Sequence, residues 1–154
     1  MRIYVGSDHH GIQTRLNLES YLREHNHEVI DIGPVKEGIS VDYPDIAKQV
    51  AGAVSRGEAE RGILICGTGI GMSIVANKFP GVRAAPIFDE LSAELSRRHN
   101  DLNVLCLSGD SLTETAIYRL VDIWFKCEFV GGRHLRRNNK ITALEAEFIQ
   151  KNKG

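Results

Sequence analysis

Residues 63–78 read Ile-Leu-Ile-Cys-Gly-Thr-Gly-Ile-Gly-Met-Ser-Ile-Val-Ala-Asn-Lys, an apolar run that stops at Cys66 and opens into a helical spacing through Gly67, Gly69 and Gly71. A short run of Ile and Leu suits a strand covered on both faces, as in the middle of a parallel sheet. Glycines let the backbone come close to a ligand, and the exposed amides of such a loop point at negative charge. The same rhythm extends in both directions. Apolar runs at 2–6, 28–32, 61–66, 82–88 and 103–107 predict strands. Between them, Ile12, Leu16 and Leu22, then Ile46, Val50 and Val54, then Met72 to Lys78, Glu90 to Arg98, and Leu112, Leu120, Val121 and Trp124 have helical spacing. Alternation of this kind implies parallel pairing through right-handed crossovers. The expected class is α/β, a three-layer doubly wound domain with a five-stranded parallel sheet and ligands at the carboxyl ends of its strands. After Trp124 the rhythm breaks. Gly131 to Arg137 (GGRHLRR) leads into a segment whose Ile141, Leu144 and Phe148 predict a C-terminal helix, placed to dock on a partner subunit. No linker or repeat marks a second domain, so residues 1–154 are read as one.

A chain of 154 residues that is 42% hydrophobic can bury a core without disulfides or structural metal. Nineteen Lys and Arg against 20 Asp and Glu leave a net charge of -1, so no overall field draws in nucleic acid or an anionic membrane. Any anion site must be local. The opening MRIYVGSDHHG has no long apolar run or small-residue cleavage site, and the expectation is a cytoplasmic protein. Cys66, Cys106 and Cys127 cannot all pair within one chain and lack metal-like spacing, so free thiols are expected.

Cys66 has two readings: inert core, or a thiolate stabilised at the end of a strand beside a helix start, competent as base or nucleophile. The adjoining glycines favour the second. Cys106 and Cys127 read as structural. A P-loop is excluded because no Gly-Lys-Ser/Thr follows, and GxGxG departs from the dinucleotide pattern, although Asp89 follows at a compatible distance. In Gly6 to Gly11, Asp8 and His9 can bind sugar hydroxyls or a phosphate; the alternative is a helix cap with exposed imidazoles. A metal held by Asp8, His9 and His10 is disfavoured, since adjacent residues rarely converge and no further ligand is indicated. His99 and Asn100 fall in a predicted loop between helix and strand, at the amino ends of the strands and away from Cys66. They are either plain loop residues or part of another subunit's site. Arg133, Arg136 and Arg137 offer paired guanidinium donors for a phosphate, or form a solvated basic turn. Asp42-Tyr43-Pro44-Asp45 reads as a helix entry, with Tyr43 placed to line the crevice.

Taken in order, SDHHG, DYPD, GILICGTGIGMSIVANKFPGVRAA, LSRRHNDLNVL and GGRHLRR resemble the ribose-5-phosphate isomerase B family, which includes the galactose-6-phosphate isomerase subunits. The resemblance runs from residue 2 to about residue 145. It implies a Rossmann-like fold, a homodimer with sites at the subunit interface, and interconversion of aldose and ketose phosphates without metal or cofactor. Ribose 5-phosphate and ribulose 5-phosphate are the leading pair. By position, Cys66 resembles the family's base, acting through a cis-enediolate with Thr68 assisting. The amides from Gly67 through Gly69 and Ile70 to Gly71 match those that hold the enediolate oxygens. His99, from the partner subunit, matches the residue that helps open the furanose ring. Asp8, His9 and Asn100 match ligand-binding positions, and Arg133 and Arg137 match phosphate-binding ones.

One position departs from the pattern. Members with ribose-5-phosphate activity commonly carry an arginine where this chain has Asp110. Beside the crevice it would repel a phosphate; otherwise it or Ser111 caps the next helix. Other sugars therefore stay open: a tetrose phosphate, a hexose phosphate or an unphosphorylated sugar. Pairing of dimers into tetramers stays open too. A competing reading from a different class is a nucleotide-binding module without catalysis.

Overall fold

Five parallel strands form one sheet: β1 (Arg2–Ser7), β2 (Glu28–Ile32), β3 (Arg61–Cys66), β4 (Ala84–Pro86) and β5 (Val104–Ser108), in the order β2-β1-β3-β5-β4. This computed structural model describes residues 1–36 and 38–151. Among the described residues six helices accompany the sheet: α1 (Ile12–Glu24), α2 (Tyr43–Ser55), α3 (Ile70–Ala76), α4 (Glu90–Asn100), α5 (Glu114–Lys126) and α6 (Arg133–Lys151). A single 3-10 turn, His9–Gly11, precedes α1.

Side chains alternate across the strands. Ile63 and Ile65 of β3 join Leu18 and Leu22 of α1 and Ile117, Leu120, Val121 and Trp124 of α5 in one core layer. Leu64 and Cys66 face the other way, onto Ile46 and Val50 of α2 and Met72 and Ala76 of α3. Both faces are covered, which is why the strands read as unbroken apolar runs. The expected three layers are present, and Cys66 belongs to the layer that α2 and α3 cover.

The strand order positions the site. From β1 the chain crosses to β2 on one side, while β3 pairs with β1 on the other. The loops leaving β1 and β3 therefore diverge, opening a crevice at their carboxyl ends. That is where Asp8 and the Cys66 loop lie.

Several boundaries differ from the sequence reading. β4 keeps only Ala84–Pro86 of the predicted 82–88. It is an edge strand whose entry is a turn, with Val82 N donating to Phe79 O and Arg83 N to the Asn103 side chain. α4 runs through Asn100, so His99 and Asn100 sit in its last turn and not in a loop. Asp101 stops the helix in a left-handed conformation, φ 49°, held by ion pairs with Arg83 and Arg97. Arg133, Arg136 and Arg137 lie within the first turns of α6 instead of preceding it. α5 starts at Glu114, capped by Thr113, so neither Asp110 nor Ser111 is its cap and Leu112 precedes it. Among the described residues no helix is long and apolar enough to cross a membrane.

A buried arginine locks the carboxyl edge. Arg15 on α1 is fully buried and donates to Ser7 Oγ at 2.7 Å and Pro34 O at 2.8 Å. Its Nε lies 2.6 Å from Asp31 Oδ1 on β2. Gly33 has no side chain because a Cβ there would collide with Arg15. Burial raises the Asp31 carboxyl pKa, and the Arg15 guanidinium opposes that rise. Arg15→Met removes the donors to Ser7 Oγ and Pro34 O and the cation beside Asp31. The variant is expected to lose about 3 kcal/mol of stability. In urea unfolding followed by Trp124 fluorescence this lowers the midpoint by about 1.5 M.

Candidate active site

The geometry of the crevice starts from a turn. Gly69 adopts φ 77°, a left-handed conformation that costs glycine little, and this brings its N–H back onto Cys66 Sγ at 3.1 Å. A side chain there would also press on Leu107 O, 3.1 Å from the Cβ position. Cys66 is buried at the end of β3 with its sulfur aimed at this donor. Thr68 is exposed, and its Oγ1 accepts Ile70 N at 3.3 Å. Gly71 lies under the ring of Tyr43, where a Cβ would stand 2.7 Å from Tyr43 Cζ. Tyr43, the first residue of α2, therefore walls the glycine loop as the sequence reading placed it.

The loop is tied to β5 as well as to β3. Ser108 Oγ donates to Gly67 O at 2.6 Å, Asp110 N to the same oxygen at 3.3 Å, and Gly109 N to Cys66 O at 2.8 Å. These bonds bring Asp110 to the crevice. Its Oδ2 sits 2.9 Å from where a Cβ on Gly67 would be, and its Oδ1 lies 3.4 Å from His10 Nδ1. Asp8 is buried; its Oδ1 accepts His10 N at 2.9 Å and its N–H donates to Ile65 O at 3.2 Å. The carboxylate thus caps the 3-10 turn and sits at the crevice at once. His9 is exposed, with Nδ1 3.3 Å from Val41 O. Of the other thiols, burial pushes Cys106 far up, away from ionisation, and Cys127 ends α5 as a free cysteine.

The remaining predicted residues are elsewhere. His99 and Asn100 end α4, just before β5 begins, and so lie at the amino ends of the strands. Val130 N donates to Arg98 O at 3.1 Å, which sets the start of α6 beside them. Arg133, Arg136 and Arg137 are exposed there. One chain therefore carries two separate groups: Asp8, His9, Tyr43 and Cys66–Gly71 at one end of the sheet, and His99, Asn100, Arg133 and Arg137 at the other. His134, given no role in the sequence reading, belongs to the second group. Its ring stacks on that of His99 with centroids 4.0 Å apart and planes within 4°. The available signal was its position among the arginines, four residues before Asn138, the other buried polar residue of α6.

Residues 3–141 match the ribose/galactose isomerase family. The chain belongs to that family. Ribose-5-phosphate isomerase B of Escherichia coli is 44% identical over 94% of this chain and 96% of its own. The structure of ribose-5-phosphate isomerase B from Clostridium thermocellum superposes with a TM-score of 0.93 at 45% identity, covering 96% of this chain and 99% of the other. That of Mycoplasma genitalium, solved with bound ribulose 5-phosphate, gives a TM-score of 0.92 at 41% identity, covering 95% and 97%. The α/β architecture with its parallel five-stranded sheet is that of these isomerases.

Within this family frame Asp110 acts as a fixed anion beside Gly67. Like charges near each other raise the cost of binding a second anion. Asp110→Asn is expected to tighten binding of ribulose 5-phosphate by about 1 kcal/mol, roughly fivefold in Kd. Titration calorimetry measures it. An unchanged Kd places the phosphate beyond reach of Asp110.

Proposed function

We propose that this chain is an aldose–ketose isomerase that interconverts ribose 5-phosphate and ribulose 5-phosphate through a cis-enediolate, with sites shared between two copies. The observation that carries the reading is the Gly69 amide on Cys66 Sγ at the mouth of the β1/β3 crevice. A donor aimed at the sulfur suits a thiolate, and no metal or cofactor is required by the chemistry that follows.

A C–H beside a carbonyl ionises only when its base is placed and its oxyanion is held. Cys66 takes the proton from C2 of the open-chain aldose. The enediolate oxygens then face the amides of the Gly67–Gly71 loop, with Thr68 at its exposed edge. Facing one side of the planar intermediate, the same thiol returns the proton to C1 while the O2 hydroxyl proton passes to O1, which leaves the carbonyl at C2. Before this, the furanose must open. His99 of the second copy takes that role, since an imidazole can both accept and donate a proton. Asp8, His9, Tyr43 and Asn100 take the hydroxyls, and Arg133 and Arg137 of the second copy clamp the phosphate through guanidinium donors.

Two features support a second copy. The groups lie at opposite ends of the sheet, so one chain does not close its own site. In addition, α6 exposes Leu135, Ile141, Leu144 and Phe148, and with Val82, Ala84 and Leu102 borders an open groove of about 990 Å³. Such an apolar stripe on a terminal helix is what a second chain covers. Asp110 favours one further reading, a tetrose, hexose or unphosphorylated sugar in place of the pentose phosphate. The nucleotide-binding module draws no support from Asp89, whose carboxylate is taken up by Ser92 N and Oγ at 2.8 and 2.7 Å as the cap of α4.

Ribose 5-phosphate incubated with the protein in deuterated buffer is expected to give ribulose 5-phosphate with deuterium exchange at the transferred position, followed by NMR. Cys66→Ala should cut the rate by about 10³-fold or more with the fold retained. Full turnover in that variant would remove the thiolate base. Mixing Cys66→Ala with His99→Ala protein tests the shared site: heterodimers contain one site free of both lesions, and activity should return. Proven subunit exchange without recovery would refute shared sites.

A further inference from the structure

The second group contains an imidazole pair of unusual geometry. His134 is 8% exposed, faces α4 from the first turn of α6, and lies flat against His99 at 4.0 Å. Arg133 Nε donates toward His134 Nε2 at 3.4 Å. An arginine has no lone pair to offer, so Nε2 is the acceptor and the ring proton of neutral His134 sits on Nδ1. Two imidazolium rings at this separation would repel one another, and Arg133 and Arg137 add to the local positive charge. On α4 the neighbouring cations are already paired, Arg98 with Glu94 and Arg97 with Asp101. Burial first, then His99, Arg133 and Arg137, lower the pKa of His134 below the usual imidazole value. The last side-chain torsion of a histidine is also broad, so a ring at a helix end needs a neighbour to set its plane.

We propose that His134 is a positioning residue for His99, fixing the plane of its ring. The inference rests on the ring-opening role given to His99 above. In that step His99 takes the proton of the O1 hydroxyl, the C1–O4 bond breaks with its electrons going to O4, and C1=O1 forms. His99 then delivers a proton to O4, so the hemiacetal becomes the hydroxyaldehyde with nothing gained or lost. A ring turned out of this plane cannot reach both oxygens in sequence.

The test separates ring opening from enediolate chemistry. Ribulose 5-phosphate has no furanose to open, because its O5 carries the phosphate, so exchange of its C1 hydrogen in deuterated buffer needs Cys66 but not His99. His134→Ala is expected to lower conversion of ribose 5-phosphate at least tenfold while C1 exchange into ribulose 5-phosphate stays within twofold. His134→Phe, which restores a flat neutral face, should recover most of the conversion. His134→Asn, which keeps an acceptor for Arg133 without the face, should behave like the alanine variant. Equal loss of both reactions, full conversion in His134→Ala, or failure of phenylalanine to restore it would overturn the proposal. His99→Ala run alongside distinguishes the two levels. If it spares ribose 5-phosphate conversion, the ring-opening role itself falls; if it abolishes conversion while His134→Ala does not, only the positioning role falls.

Discussion

The hydrogen bond from Gly69 to Cys66 Sγ exists because the chain turns left-handed as soon as the central strand ends. An ordinary residue at φ 77° would be strained and would also press on Leu107 O, so the backbone that offers the amide favours glycine. Everything around the turn serves to hold it. β3 is paired on both sides, by β1 and β5, so Cys66 cannot shift along the sheet without breaking two ladders. The turn after β5 bonds back to Cys66 O and Gly67 O, and Asp8 N reaches Ile65 O from the β1 side. The sulfur is therefore placed by the sheet, not by loop residues that could relax.

The same sheet keeps the two groups of polar residues apart within one chain. In a parallel sheet every strand-to-helix loop lies at one end and every helix-to-strand connection at the other. The loops after β1 and β3 supply Asp8 and Cys66. The end of α4, which leads into β5, supplies His99 and Asn100, and α6 joins it through the Val130–Arg98 bond and the His99–His134 stack. The base and the ring-opening group proposed here, separated in this way, would meet across two copies. The exposed apolar stripe of α6, on the helix that carries the arginines, gives that meeting a physical driving force.

What the sequence disclosed and what it hid follow a pattern. Cys66 and the three glycines were legible because a buried strand, a loop and a helix start each leave a local signature, and all fall within nine residues, 63–71. The end of α4 was misplaced because the helix is carried on to Asn100 by tertiary contacts: Asp101 closes it by pairing with Arg83, which lies on the entry to β4. The predicted fourth strand shrank because an edge strand is set by its one neighbour and by the turn leading into it, not by its apolar content. Thr113 displaced Asp110 and Ser111 as the cap of α5 since the turn after β5 is occupied in binding the glycine loop. His134 was invisible for a different reason. A stack between rings 35 positions apart has no trace in local spacing.

Asp110 gives the proposed site a direction. On the chain's own side the crevice offers a carboxylate beside an imidazole, Asp110 with His10, and the amides of the glycine loop. In the proposed pairing the second copy would bring Arg133, Arg136 and Arg137, which are exposed. A dianionic phosphate is therefore drawn to the partner's arginines and turned away from Gly67, while the carbon pair to be isomerised must lie over Cys66. The distance between those two points becomes a ruler for the sugar. Because the proposed site would attract the anion at one end and repel it at the other, a chain that is too short or too long would pull its C2 off Cys66, and charge placement would select chain length.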